Sequence, residues 1–181
     1  MNRKGDWQQT YTGKQVWPLD PRPEEIDITD IAWALSNQCR FLGHTSRFYS
    51  VAEHSIWVSL YCPEYPLEGL LHDSSEAYLS DVPKPVKPFL NGFREIEDNL
   101  LQVIFKKYDL KWPIPKEVGR IDIAILKDEQ QQLMPFPPEK WHQTTEPALG
   151  IRQRLGMSSK EAFYFFILRF KAFMEVRKLI D

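Results

Sequence analysis

The sequence predicts an all-α protein with at most a small N-terminal β element. Apolar residues recur at 3–4-residue spacing in several separate stretches, as the buried faces of helices require. Prolines gather between those stretches, as at Pro83, Pro85 and Pro88 or Pro135, Pro137 and Pro138, where they stop a helix instead of kinking it. Helix-start signals precede two of the stretches, the clearer being Ser158-Ser159-Lys160-Glu161, a capping-box pattern.

The elements follow in order. Residues 7–23 carry Gly13, Pro18, Pro21 and Pro23 among scattered aromatics, which discourages helix. Gln9-Thr10-Tyr11-Thr12 and Gln15-Val16-Trp17 read as two short strands around Gly13. Thr29-Asp30-Ile31 opens a first helix, with Ile31, Leu35 and Cys39 near helical spacing, ending near Arg40-Phe41-Leu42-Gly43. A second helix is expected at about 50–61, ended by Pro63, and a third at about 65–79. Residues 82–88 form a proline-stiffened loop. A fourth helix at about 93–108 and a fifth at about 116–133 follow. The last helix runs over about 158–179 with Phe163, Phe166, Ile167, Phe170, Phe173 and Met174 on a broad apolar face. Such a face is core in most proteins, and it also allows a homodimer.

Length and composition narrow the classes. With 181 residues, 43% of them hydrophobic, the chain is expected to be one globular domain over 1–181, with a core at about 7–134 and the last helix packed on it. Lys and Arg number 23 against 25 Asp and Glu, so no basic excess favours duplex nucleic acid. Cys39 and Cys62 lack paired spacing and are expected as buried small hydrophobes in a reducing compartment. No apolar run follows the basic residues at the N-terminus, and the densest apolar stretch, 163–168, is too short to cross a bilayer. The expected location is the cytoplasm, with no membrane partner.

Chemistry concentrates at three places. On a helix over 65–80, Leu67, Leu70, Leu71, Ser74 and Tyr78 share one face, and Gly69, His72, Asp73, Glu76 and Ser80 share the other. A solvated face would usually carry Lys, Arg and Glu, whereas this one carries a histidine, two acids and a glycine that admits a close neighbour. His54 falls on the inward arc of Val51, Trp57, Val58 and Tyr61. In the fifth helix Val118, Asp122, Ile125, Glu129 and Leu133 form one stripe, which strands Asp122 in an apolar face, while Asp128 falls off the stripe and is expected to be exposed. A buried carboxylate is costly unless a cation or several donors meet it. His54, His72, Asp73 and Asp122 can thus share one divalent cation. An N2O2 set with open positions suits Mn, Co, Fe, Ni or Zn better than Mg, and such an ion acidifies water and polarises a phosphoryl oxygen. Asp122 is also open to a buried salt bridge or to capping a neighbouring helix, and His54, taken alone, to a core histidine with one good partner.

The order His…His-Asp…Asp resembles the HD-domain metal-dependent phosphohydrolases. Cys39-Arg40-Phe41, Gly43-His44-Thr45, the run 48–55, His72-Asp73-Ser74-Ser75-Glu76-Ala77-Tyr78 and the run 81–87 resemble the YfdR/YfbR-type branch, over about 7–134. The resemblance implies an HD-domain helical bundle and a 5'-deoxynucleotidase that releases phosphate from deoxynucleoside monophosphates. It implies His54, His72, Asp73 and Asp122 as metal ligands, and Glu76 as the residue that orients or deprotonates the attacking water. Asp81 would assist the leaving oxygen or hold the sugar, Arg40 would grip phosphate, and Phe41 would screen the sugar. His44, Arg47, Lys84 and Lys87 stand near enough in sequence to add phosphate contacts, although His44 serves equally well to bond its own turn and exposed loop lysines commonly only solubilise. A dNTP triphosphohydrolase is the alternative enzyme, and a non-catalytic nucleotide-binding module is the alternative of another class.

Overall fold

The computed structural model describes residues 3–142 and 145–180. The protein is mostly helical, with one small antiparallel ribbon. β1 (Gln8–Gln9) pairs with β2 (Gln15–Val16), Gln8 opposite Val16 and Gln9 opposite Gln15. The turn between them closes through Thr10 N to Lys14 O and Gly13 N to Thr10 O, both 3.0 Å, so the first strand is shorter and earlier than its sequence suggests. Val16 is its anchor in the core.

The helices are α1 (Ile28–Asn37), α2 (Val51–Tyr61), α3 (Pro66–Leu71), α4 (Glu76–Leu79), α5 (Phe93–Lys107), α6 (Lys116–Leu133) and α7 (Ser159–Ile180). Their starts follow local chemistry. Asp27 caps α1 by accepting from Thr29 N at 2.8 Å, and Ser50 caps α2 by accepting from Glu53 N at 3.1 Å. At α7, Glu161 accepts from Ser158 N at 2.8 Å while Ser158 Oγ accepts from Glu161 N at 3.3 Å, the reciprocal pair of a capping box. Among the described residues no helix is long and apolar enough to cross a membrane.

α2 is the central element. It packs against α1, α3, α6 and α7, and every residue from Val51 to Ser59 is buried, polar ones included. A helix buried all round has no solvent side on which to leave a charge. Glu53, His54 and Ser59 must therefore find partners inside. On α7, Ala162, Phe166 and Phe170 are buried, with Phe163, Ile167, Phe173 and Met174 packed on the same core, so this face is interior.

Two expectations about local structure are corrected. The helix expected over 65–79 breaks into α3 and α4, because residues 72–75 switch to i→i+3 bonding, as in Ser74 N to Leu71 O and Glu76 N to Asp73 O. His72 Nδ1 bonds the Gly69 carbonyl at 2.8 Å, the acceptor that the amide of Asp73 would use in a continuous α-helix. Cys39 is exposed, since α1 ends at Asn37 and leaves it outside the helical stripe, whereas Cys62 is buried, and both are free thiols.

A third correction shows what holds the last part of the chain. Asp128 is buried, and its carboxylate accepts from Leu149 N and Ile151 N, each at 2.7 Å. Gln132 bonds Ile151 O at 2.8 Å and Leu155 N at 3.1 Å. Glu53 accepts from Gly156 N at 2.9 Å and Met157 N at 2.7 Å. Residues 149–157 thus form a strap lying across α6 and α2. Asp128 is off the stripe that faces α2, and the strap buries it from the other side.

The approach of α3 to α2 depends on Gly69. A Cβ there would lie 3.1 Å from Ser59 Cα and 3.3 Å from Ser59 N, both backbone atoms that cannot swing aside. Gly69→Ala is expected to cost about 1–3 kcal/mol, read as a lower denaturant midpoint at unchanged slope. It should also weaken metal binding, because the Gly69 carbonyl orients His72.

Candidate metal centre

Three helical segments bring the candidate ligands together. His54 comes from the buried middle of α2, His72 and Asp73 from the tightened turn after α3, and Asp122 from the second turn of α6. His54, His72 and Asp122 each offer one ligand atom, and these atoms lie within 4.8 Å of one another. His54 Nε2 is 3.3 Å from His72 Nε2 and 3.1 Å from Asp122 Oδ1. Asp73 Oδ2 stands 3.2 Å from His72 Nε2 and 3.7 Å from His54 Nε2.

The outward nitrogens of both rings are already committed. His54 Nδ1 is 2.7 Å from Glu129 Oε1, and His72 Nδ1 is 2.8 Å from the Gly69 carbonyl. Each Nδ1 therefore donates, which leaves both Nε2 atoms facing one spot together with two carboxylates. Two lone pairs 3.3 Å apart require positive charge between them. A proton on His54 supplies part of it. Burial and the Arg40 charge push that imidazole down, but Glu129 and Asp122 outweigh them and lift its pKa from 6.5 to about 9. A metal cation would answer His54, His72 and Asp122 at once, so these three fit one, in competition with protons, while Asp73 stands beside them and outside that group.

The carboxylates respond to the same field. Burial alone would raise Asp73 and Asp122, yet the two histidines hold both well below the ordinary carboxylate range. Glu76 behaves oppositely. Burial pushes its carboxyl well above the ordinary range, with Asp73 and Asp81 adding to the effect. Its Oε1 is 3.4 Å from Lys87 Nζ, and its Oε2 is buried with no hydrogen-bond partner among the described residues. Burial also raises Asp81, against the pull of Arg40. Gln38 ties this corner together, accepting from Asp81 N at 3.3 Å and donating to Glu76 O at 3.0 Å.

The carboxylates of Asp73, Glu76, Asp81 and Asp122 line a cavity of about 740 Å³, a size that suits a small organic ligand. Arg40, Phe41, His44, Asp73, Glu76, Asp81, Lys84, Lys87 and Asp122 all line it. Arg40 spans two acids, with Nη1 3.6 Å from Asp73 and Nη2 3.3 Å from Glu129. Lys84 lies 3.4 Å from Asp122, and Lys87 also bonds Glu97 at 2.8 Å. Arg47 is the exception. Its Nη2 donates to the Gln132 carbonyl at 2.8 Å, so it closes the C-terminal end of α6 and does not line the cavity.

Sequence reasoning missed Glu129. It is fully buried, and besides His54 and Arg40 it accepts from Tyr49 OH at 2.9 Å. The signal was present, because Glu129 sits on the same apolar stripe as Asp122, two turns on. His142 is exposed and, with Trp141, lines the cavity.

No protein-family profile matches the chain. A helical bundle whose central helix presents His54 to His72 and Asp122 belongs, by that donor set, with proteins that could hold a metal ion. Curated relatives place it more narrowly. It is 34% identical over 172 residues to Uncharacterized protein YfdR of Escherichia coli (strain K12), covering 94% of this chain and 97% of that protein. It is also 35% identical over 148 residues to an uncharacterized protein of Rhodobacter capsulatus, covering 74% of this chain and 76% of that one. The chain belongs to the YfdR family.

Proposed function

We propose that the protein is a metal-dependent phosphohydrolase of the HD type, acting as a 5'-deoxynucleotidase on deoxynucleoside monophosphates. The observation that carries the reading is the pair of buried Nε2 atoms facing each other beside Asp73 and Asp122, two carboxylates that line a cavity together with Arg40 and Glu76. His54, His72, Asp73 and Asp122 would hold the metal, and two imidazoles favour Mn, Co, Fe, Ni or Zn over Mg. When bound, such an ion supplies charge to phosphoryl oxygens and acidity to water.

The chain's own residues do the rest. Arg40 holds the phosphate in a fork of donors already balanced by Asp73 and Glu129. Glu76, its carboxyl made more basic by burial, takes the proton of the attacking water. Asp81, also raised, returns a proton to the departing 5' oxygen. Phe41 screens the sugar. Arg47 is turned to the Gln132 carbonyl and is not among the cations that line the cavity, which are Arg40, Lys84, Lys87 and Lys140; the substrate panel decides between monophosphate and triphosphate.

The test is a panel of dNMPs and dNTPs with Mn²⁺ or Co²⁺, assayed for free phosphate and by chromatography. Phosphate release from dNMPs is expected. Tripolyphosphate from dNTPs with dNMPs inert would transfer the assignment to a triphosphohydrolase, and no turnover on any pair would leave a binding module.

A further inference from the structure

The cavity has a second end that the metal chemistry does not use. Its lining also includes Phe41 and Trp141, which comes from the connector between α6 and α7, together with the apolar Leu126 and Met134 and the polar Glu139, Lys140 and His142. The Phe41 and Trp141 ring centroids are 5.9 Å apart and the planes are tilted by 47°. A ring sandwiched between them would need about 7 Å, two contact distances of ~3.5 Å. The pair therefore forms one continuous aromatic wall and not a slot. Stations run in order, with the Arg40 guanidinium 5.3 Å from the Phe41 ring and Phe41 5.9 Å from Trp141.

The Phe41 half of the wall is held on a strained backbone. Phe41 and Leu42 adopt left-handed conformations, φ 54° and 53°, which cost non-glycine residues about 1–2 kcal/mol each. The turn is kept there by Arg40 N to Tyr49 O and His44 N to Phe41 O, each 2.9 Å. Strain of this kind gathers where a side chain must be aimed.

We propose that Trp141 is a specificity-determining residue, the stacking surface for the base of a nucleoside monophosphate whose sugar lies against Phe41 and whose phosphate lies at Arg40. The proposal rests on the phosphohydrolase reading and names the part of the substrate that the far wall takes. An aromatic face binds a base through its π-surface, a contact that alanine substitution reduces by roughly tenfold.

The test compares dAMP with deoxyribose 5-phosphate, which lacks the base, on the full-length protein with Mn²⁺. Trp141→Ala is expected to raise KM for dAMP roughly tenfold with kcat little changed, and to leave deoxyribose 5-phosphate unaffected. Trp141→Phe should restore most of the loss. An equal loss on both esters, or no loss on either, overturns the proposal. Calorimetric binding of dAMP, read separately, keeps the two readings apart. If the wild type releases no phosphate, the reaction assignment fails, while weaker dAMP binding by Trp141→Ala still supports the wall and unchanged binding overturns it.

Discussion

Asp122→Ala is expected to remove the metal from the purified protein and to lower phosphate release by about 10³-fold or more. The carboxylate stands in the apolar stripe of α6, one turn from the buried Val118 and Ile125, with its Oδ1 3.1 Å from His54 and its Oδ2 3.4 Å from Lys84. Its place is costly for folding unless a cation answers it. Alanine suits that face, so the metal-free variant should melt within a few degrees of the metal-free wild type. The two proteins separate when Mn²⁺ or Co²⁺ is added, because only the wild type gains stability by mass action. Metal content together with a thermal shift with and without Co²⁺ checks this. A variant that keeps its metal would show that Asp122 is a structural ion-pair partner and not a ligand.

Glu129→Gln is expected to be the most damaging conservative change in the molecule. The residue is fully buried and its carboxylate serves three donors, His54 at 2.7 Å, Tyr49 at 2.9 Å and Arg40 at 3.3 Å. An amide presents its own N–H to one of those donors and leaves the Arg40 charge without its buried counterpart. Breaking a buried pair in this way costs about 3–5 kcal/mol. Because Glu129 fixes which nitrogen of His54 faces the metal, affinity for the ion should also fall about 10–100-fold. Burial pushes the Glu129 carboxyl up, and Arg40 and His54 more than reverse it, so its pKa lies below the ordinary range. A depressed carboxylate stabilises the fold above its unfolded pKa and stops doing so as pH falls through its folded one. The stability gap between wild type and Glu129→Gln should thus be full at neutral pH and close in acid. Denaturation curves of the metal-free proteins from neutral to acid pH read this out.

A periodic pattern in a sequence records what one helix does with its own face. It placed His54 inward, set Asp122 among apolar neighbours and located α6 at 116–133, since each of these is a fact about one helix and its own face. It could not register contacts made by backbone. The strap over 149–157 has no period, so Asp128 read as solvent-facing although two of the strap's amides bury it. Arg47 was legible as a cation near the site, but a loop residue's direction is decided by the nearest unpaired carbonyl, here that of Gln132. The break between α3 and α4 was hidden because apolar spacing continues through it, while the hydrogen-bond ladder does not. Glu129 was visible as a stranded acid, and only its distance to His54 gave it a role.

The strap bears on how the molecule opens. Its amides at Leu149, Ile151, Leu155, Gly156 and Met157 are bonded to side chains from α2 and α6, the helices that carry His54 and Asp122. For those amides to exchange with solvent, the side chains bracing both helices must let go. The strap and the metal ligands therefore belong to one cooperative unit. Ending the chain after Met134 would not trim an appendage. It would strip the buried carboxylates of Asp128 and Glu53 of their amide partners and loosen the helices that aim the ligands.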